Sequence, residues 1–193
     1  MERRPGASRR RCRRVSLVTR GELDLVLTER LRCERLRREH SAELAPMLLD
    51  PRVVRTLWPR DEPPTEQDVN SSTASHVGHW ERYGFGLWLL RDRDTGGVVG
   101  RGGLQYTYVP GLNEVEAAWA IAPERWGQGL ATELAQAAIV AAFNTLKLLQ
   151  IVAVTLPDNI ASRRVMEKTG FVYEREIEHA GLPHVLYVRT AGK

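Results

Sequence analysis

The stretch Trp126-Gly127-Gln128-Gly129-Leu130-Ala131 is the part of this chain best suited to hold an anion. Glycines let backbone N–H groups approach a phosphate, and a helix beginning near Leu130 would add about half a positive charge at its N-terminus. Two nucleotide readings fail on spacing. A nucleoside triphosphate loop has four residues between its glycines, then Lys and Ser or Thr, and none of this is present. A dinucleotide fingerprint requires a third small residue at position 132, where Thr132 stands, and an acid about 20 residues on, where the chain offers Lys147 to Gln150.

Other residues carry weaker signals. Glu114 and Glu116 fall on one face of the segment that leads into the glycine turn. Asn159 stands at the head of a second helical segment, where its side chain suits an N-cap. His76-x-x-His79 has helical spacing but no third ligand, so no metal is expected. Glu178, His179 and His184 border a late turn and read as solvated or capping residues.

These groups need strands and helices to hold them. Glu114–Ile121 reads as a strand with Val115, Ala117, Trp119 and Ile121 on one face, stopped by Pro123. A helix should run from Leu130 to Thr145 on a stripe of Leu134, Ala138 and Ala141 or Ala142. Leu149–Leu156 is almost continuously apolar, as expected of a strand buried on both faces. Pro157-Asp158-Asn159 opens a helix from Ile160 to Thr169 that Gly170 closes, and strands at Phe171–Glu178 and His184–Arg189 finish the chain. Upstream, one strand is expected across Leu27 to Glu34 and a helix from Glu39 to Leu49 that Pro51 ends. After a turn-rich stretch at Pro59 to Pro64, Thr65 should cap a helix to Tyr83, followed by strands at Phe85–Leu90 and Val98–Leu104.

Composition bounds the rest. The 193 residues carry 28 Lys plus Arg and 24 Asp plus Glu, for a formal charge of +4. Residues 1–20 alone hold eight arginines and one acid, which leaves residues 21–193 with 20 bases and 23 acids. The basic character belongs to a tail, read as disordered, so a nucleic-acid surface over the whole domain is not favoured. The tail itself could contact a polyanion weakly. Cys12 and Cys33 cannot form a disulfide framework, and no apolar run reaches membrane-span length. One α/β domain over residues 21–193, cytoplasmic and with no membrane contact, is the expectation.

Two long segments carry a family resemblance. Val115-Glu116-Ala117-Ala118-Trp119 followed by Ala122-Pro123-Glu124-Arg125-Trp126-Gly127-Gln128-Gly129-Leu130-Ala131-Thr132-Glu133, and then Asn159-Ile160-Ala161-Ser162-Arg163-Arg164-Val165-Met166-Glu167-Lys168-Thr169-Gly170-Phe171, resemble the GNAT superfamily of acyl-CoA-dependent N-acetyltransferases. Thr28-Glu29-Arg30-Leu31 is similar to the opening strand of its ribosomal-protein N-terminal acetyltransferase (RimJ/RimL-like) branch. The resemblance spans roughly residues 24–190.

That resemblance implies an α+β fold: a mixed, mainly antiparallel sheet of six to seven strands flanked by helices, splayed between the two strands beside the pyrophosphate loop. It implies acetyl-CoA as donor, with no metal. Amides of Trp126, Gly127, Gln128, Gly129, Leu130 and Ala131 would face the pyrophosphate, backbone at Ile121 and Ala122 would pair with the pantetheine arm, and Asn159 and Ser162 would contact the cofactor. The acceptor is a primary amine, of a small molecule or a peptide, and a homodimer is left open. Many family members carry a tyrosine general acid where Met166 stands here, so Ser162 is the substitute candidate. Glu116 is the first candidate for the base that takes a proton from the amine, Glu114 the second. Trp58 or Trp80 could line the acceptor pocket. A non-catalytic acyl-CoA-binding or regulatory module is the alternative reading.

Overall fold

The structure, a computed structural model, describes residues 21–57 and 62–192. The basic tail and Trp58 lie outside the described residues. Among the described residues, eight strands form a single sheet: β1 (Leu25–Leu27), β2 (Leu31–Arg35), β3 (Leu87–Asp92), β4 (Val98–Val109), β5 (Leu112–Ile121), β6 (Gln150–Thr155), β7 (Val172–His179) and β8 (Leu182–Thr190). Their order is β1-β2-β3-β4-β5-β6-β8-β7, and every neighbouring pair is antiparallel except β5 and β6.

The expected six to seven strands become eight because the first is a hairpin. The Thr28 hydroxyl accepts the Leu31 N–H at 3.0 Å and the Thr28 N–H bonds the Leu31 carbonyl at 2.9 Å. That closes a turn over residues 28–31 where alternation alone suggested continuous strand.

The helices are α1 (His40–Leu48), α2 (Pro51–Leu57), α3 (Glu66–Tyr83), α4 (Leu130–Val140) and α5 (Ile160–Lys168). Thr65 caps α3 with a reciprocal box to Asp68, and left-handed Gly84 ends it. Pro51 ends α1 as expected but also starts α2, because proline suits the first helical position and Asp50 accepts the Arg52 N–H at 2.8 Å. The expected helix to Thr145 stops as α-helix at Val140 and finishes in one π-turn, Ala141–Thr145. Helices cover both faces of the sheet. Arg101 on β4 bonds Ser72 of α3 at 3.2 Å, whereas a Cβ on the next residue, Gly102, would come within 2.5 Å of Leu134 of α4. The missing side chain at Gly102 is what lets α4 press onto the sheet. Most of the core, from Leu31 and Trp88 to Leu134, Ile151 and Phe171, is one buried apolar cluster.

Candidate active site

Because β5 and β6 run parallel, their C-terminal ends lie at the same sheet edge, and so do the starts of the helices that follow them. The two strands share one bridge, Glu116 with Val152, while on its other side β5 stays paired to β4 as far as Ile121. Beyond Glu116, therefore, β6 leaves and a gap opens. The Ala122 N–H bonds the Val99 carbonyl at 2.9 Å, which fixes the parity of the ladder: even-numbered backbone on β5 faces β4, odd-numbered backbone faces the gap. This parity bears on which backbone groups are open to the pantetheine arm. Ala122 is committed on both sides, since its carbonyl also accepts the Arg125 N–H at 2.8 Å. Backbone at Trp119 and Ile121 faces the gap instead, and the Ile121 carbonyl takes the Trp126 indole N–H at 2.7 Å.

After a short 3-10 turn at Pro123–Arg125, Gly127 and Gly129 adopt left-handed φ values of 75° and 80°, and α4 begins directly at Leu130. Residues with a Cβ are strained at such φ values, and a helix starting behind two such turns exposes several consecutive N–H groups. Trp126 to Gly129 are exposed; Leu130 is buried and Ala131 partly so. Three arginines from separate elements hold this loop. Arg125 bonds Asp92 of β3 at 2.7 Å, Arg52 of α2 bonds Glu124 at 2.6 Å, and Arg30 of the β1–β2 turn bonds the Gln128 carbonyl at 2.8 Å and Glu133 at 2.7 Å. The Arg125 guanidinium holds the Asp92 carboxyl down at about 2. Sequence reasoning missed these contacts. The Thr28–Arg30 segment and Glu133 belong to the quoted motifs, but nothing in either links residues 103 positions apart.

At the other lip, Asn159 caps α5, its Oδ1 accepting the Ser162 N–H at 3.1 Å. Ser162 is half-buried in the first turn of α5, and α5 packs beside α4. Met166 is in the core at 1% exposure, one turn further on.

The ionisable groups on α3, β4 and β5 behave differently. Glu116 is 7% exposed, and burial pushes its carboxyl up to about 7 against the opposing hydrogen bonds from Gln105, at 3.1 Å, and Thr107. Glu114 lies two residues, roughly 7 Å, further from the gap. Gln150 holds it at 2.9 Å, and burial raises its pKa as well. Burial pushes His76 down to about 3, with Arg101 and His79 adding to the shift. Arg101 is itself pushed down to about 10 by burial. The two nitrogens of His79 are occupied: Nε2 accepts the Tyr106 N–H at 3.0 Å, so Nδ1 donates to the Phe85 carbonyl at 2.8 Å. That leaves His79 no lone pair for a metal. Trp80 is buried, donating to the Leu87 carbonyl at 2.6 Å, and is a core residue rather than a pocket wall. His179 bonds the Tyr108 carbonyl at 3.2 Å, tying the β7–β8 hairpin to the β4–β5 hairpin. Burial pushes the Cys33 thiol up to about 12, which leaves it inert as a nucleophile at neutral pH.

A family model described as an acetyltransferase (GNAT) domain matches residues 30–172. The chain belongs to the GNAT acetyltransferase family. It is therefore an acyltransferase, with the alpha/beta fold of that family. The chain is 29% identical to YkkB, an uncharacterized protein of Bacillus subtilis, over 168 residues, covering 86% of this chain and 95% of YkkB. A Bordetella pertussis structure assigned to the GNAT acetyltransferases superposes with a TM-score of 0.74 at 27% identity, covering 86% of this chain and 99% of the other. RimL, a ribosomal L7/L12 alpha-N-protein acetyltransferase solved with coenzyme A, has the same fold: TM-score 0.71 at 15% identity, with 86% and 97% of the two chains covered. Among the described residues, no helix is long and apolar enough to cross a membrane.

Proposed function

We propose that this GNAT acyltransferase transfers an acetyl group from acetyl-CoA to a primary amine by direct attack, and that it belongs to the RimJ/RimL-like branch. The observation that carries the reading is the gap that opens beyond the single Glu116–Val152 bridge, directly beside a loop of two left-handed glycines. A strand edge next to an exposed helix N-terminus fits a ligand with an amide-bearing arm joined to a diphosphate. Amides from Trp126 to Ala131 would hold the pyrophosphate. Backbone at Trp119 and the Ile121 N–H would meet the pantetheine amides, and Asn159 Nδ2 and the Ser162 hydroxyl would meet the cofactor from α5.

Acetyl-CoA supplies an activated acyl group with a thiol leaving group. The chain's own residues handle protons. An amine attacks only as its neutral form, and Glu116, with a pKa near neutrality, can take the ammonium proton directly or through water. Gln105 and Thr107 orient that carboxyl. Ser162 is the candidate donor to the departing thiolate, a leaving group good enough for a weak acid to serve. The inert Cys33 supports transfer without a covalent enzyme intermediate. Acceptor amines include protein N-termini, as RimL's name states for that protein, and small molecules, as for the structurally similar aminoglycoside acetyltransferase. The test is thiol release from acetyl-CoA across a panel of peptides, amino acids, polyamines and aminoglycosides, with acetylated product identified by mass. Acetyl-CoA binding without turnover on any amine would favour the non-catalytic module.

A further inference from the structure

We infer that Arg30 is a positioning residue for the cofactor: it turns the Gln128–Gly129 peptide so that its N–H faces the pyrophosphate, and it cancels the charge of Glu133 at that site. The inference rests on reading the glycine loop as the acetyl-CoA pyrophosphate site. One guanidinium joins both parts. Its Nη1 donates to the Gln128 carbonyl at 2.8 Å, its Nε and Nη2 grip Glu133 Oε2 at 2.8 and 2.7 Å, and Nη2 lies 3.6 Å from where a Gly129 Cβ would stand. In a trans peptide the carbonyl and the following N–H point in opposite directions. Drawing the Gln128 carbonyl toward Arg30 therefore turns the Gly129 N–H away from Arg30, to the side left for an anion. Left-handed Gly129, with no Cβ to restrict its φ, would otherwise let this peptide flip and present its carbonyl.

Glu133 presents the second problem. It occupies the first turn of α4, where the helix terminus is to receive a diphosphate, so its charge opposes the ligand's. The structure surrounds it: Thr28 Oγ1 donates to Oε1 at 2.5 Å, the Arg30 N–H to the same atom at 2.7 Å, and the guanidinium to Oε2. Burial works against this carboxylate's charge, but these bonds outweigh it and hold its pKa below the ordinary value. Glu133 thus stays ionised and serves as the anchor that aims Arg30, while Arg30 removes its repulsion. The β1–β2 turn, remote in sequence, becomes part of the cofactor site.

The test compares acetyl-CoA with S-acetylpantetheine, a thioester without the pyrophosphate. Arg30→Ala should raise the Kd for acetyl-CoA, measured by calorimetry, roughly 30-fold, through lost charge-assisted bonds and an uncompensated Glu133. Turnover of S-acetylpantetheine should stay within about twofold, because no charge or peptide at its own contacts has changed. Adding Glu133→Gln to Arg30→Ala should recover roughly threefold or more of the affinity, the part due to charge. Arg30→Lys should recover a similar part without the forked contacts, and it replaces Arg30→Ala if that variant melts early. An unchanged Kd, an equal loss with both thioesters, or no recovery with Glu133→Gln would each overturn the inference. Gly129→Glu is the separate control: if it leaves acetyl-CoA affinity intact, the loop reading itself fails, whereas if it abolishes binding and Arg30→Ala does not, only the role of Arg30 falls.

Discussion

At the loop end of the cleft, Asp92, Glu124 and Glu133 are each gripped by an arginine from another element, and each carboxyl lies below its ordinary pKa. On α3, β4 and β5 the shifts run the other way. Burial moves Glu116 up, and His76, His79 and Arg101 down, toward their neutral forms. A diphosphate needs fixed donors whose charge does not change near neutral pH, and arginine–carboxylate pairs supply that. Amine acetylation needs a group that can take up a proton near neutrality, and burial that outweighs the hydrogen bonds of Glu116 supplies that. Two requirements, charge retention and charge exchange, are met a few residues apart on one strand and the loop that follows it.

Gly129→Glu is the strongest way to break the loop side. A Cβ strains the left-handed backbone and a carboxylate enters the anion site, so acetyl-CoA affinity by calorimetry should fall about 100-fold or more. On the other side, Glu116→Gln should lower kcat at neutral pH roughly 100-fold with acetyl-CoA affinity nearly unchanged. The wild-type rate should rise with pH through about 7, where Glu116 loses its proton, and that limb should vanish in the variant. The stability of the two proteins should diverge in the same window. The folded pKa lies above the ordinary 4.5, so the folded protein binds the extra proton between the two values. Wild-type stability is then fully present below 4.5 and falls as pH rises through about 7, whereas Glu116→Gln escapes that loss. Melting curves across that range test it.

Smaller effects sharpen the contrast. Ser162→Ala should reduce kcat about tenfold while leaving acetyl-CoA affinity within a few-fold if the hydroxyl donates to the thiolate; a rate indistinguishable from wild type removes it as the acid. Gln105→Leu deletes a hydrogen bond that favours the charged form of Glu116, so the rising limb of the pH–rate profile should move to higher pH, with little change in Kd. Asn159→Ala should cost about 1 kcal/mol of stability from the lost N-cap, read from denaturant unfolding, before any effect on the cofactor.

The elements around the glycine loop were legible because their signals are local. Thr65 with Asp68, Pro123, Gly129 and Asn159 each act on their own backbone or on residues within one turn, so cap and turn chemistry set α3, α4 and α5 to within a few residues. The β1–β2 hairpin was not legible, because Thr28 to Arg30 continue an alternating pattern and only the Thr28–Leu31 bonds show the turn. Which β5 backbone groups face the gap was not legible for a similar reason. Alternation gives the side-chain face of a strand residue, but which neighbour its N–H serves depends on register with β4, and that is set by a partner more than 20 residues upstream.

The sequence by itself determined the family and the order of strand, glycine loop and helix, since those rest on residue types at short spacing. It also determined that Glu114 and Glu116 share a face, because side chains alternate along any strand. Only the tertiary structure separated those two acids. Glu116 meets the single bridge beside the gap, is covered and is pushed toward neutrality, while Glu114 lies further from the gap along β5, less covered and held by Gln150. Burial and ion pairing depend on what lies across the fold: the loop is held by Arg30 of the β1–β2 turn, Arg52 of α2, and the bond of its own Arg125 to Asp92 of β3. A chain read in order carries the parts of this site, but its electrostatics exist only once those parts are packed.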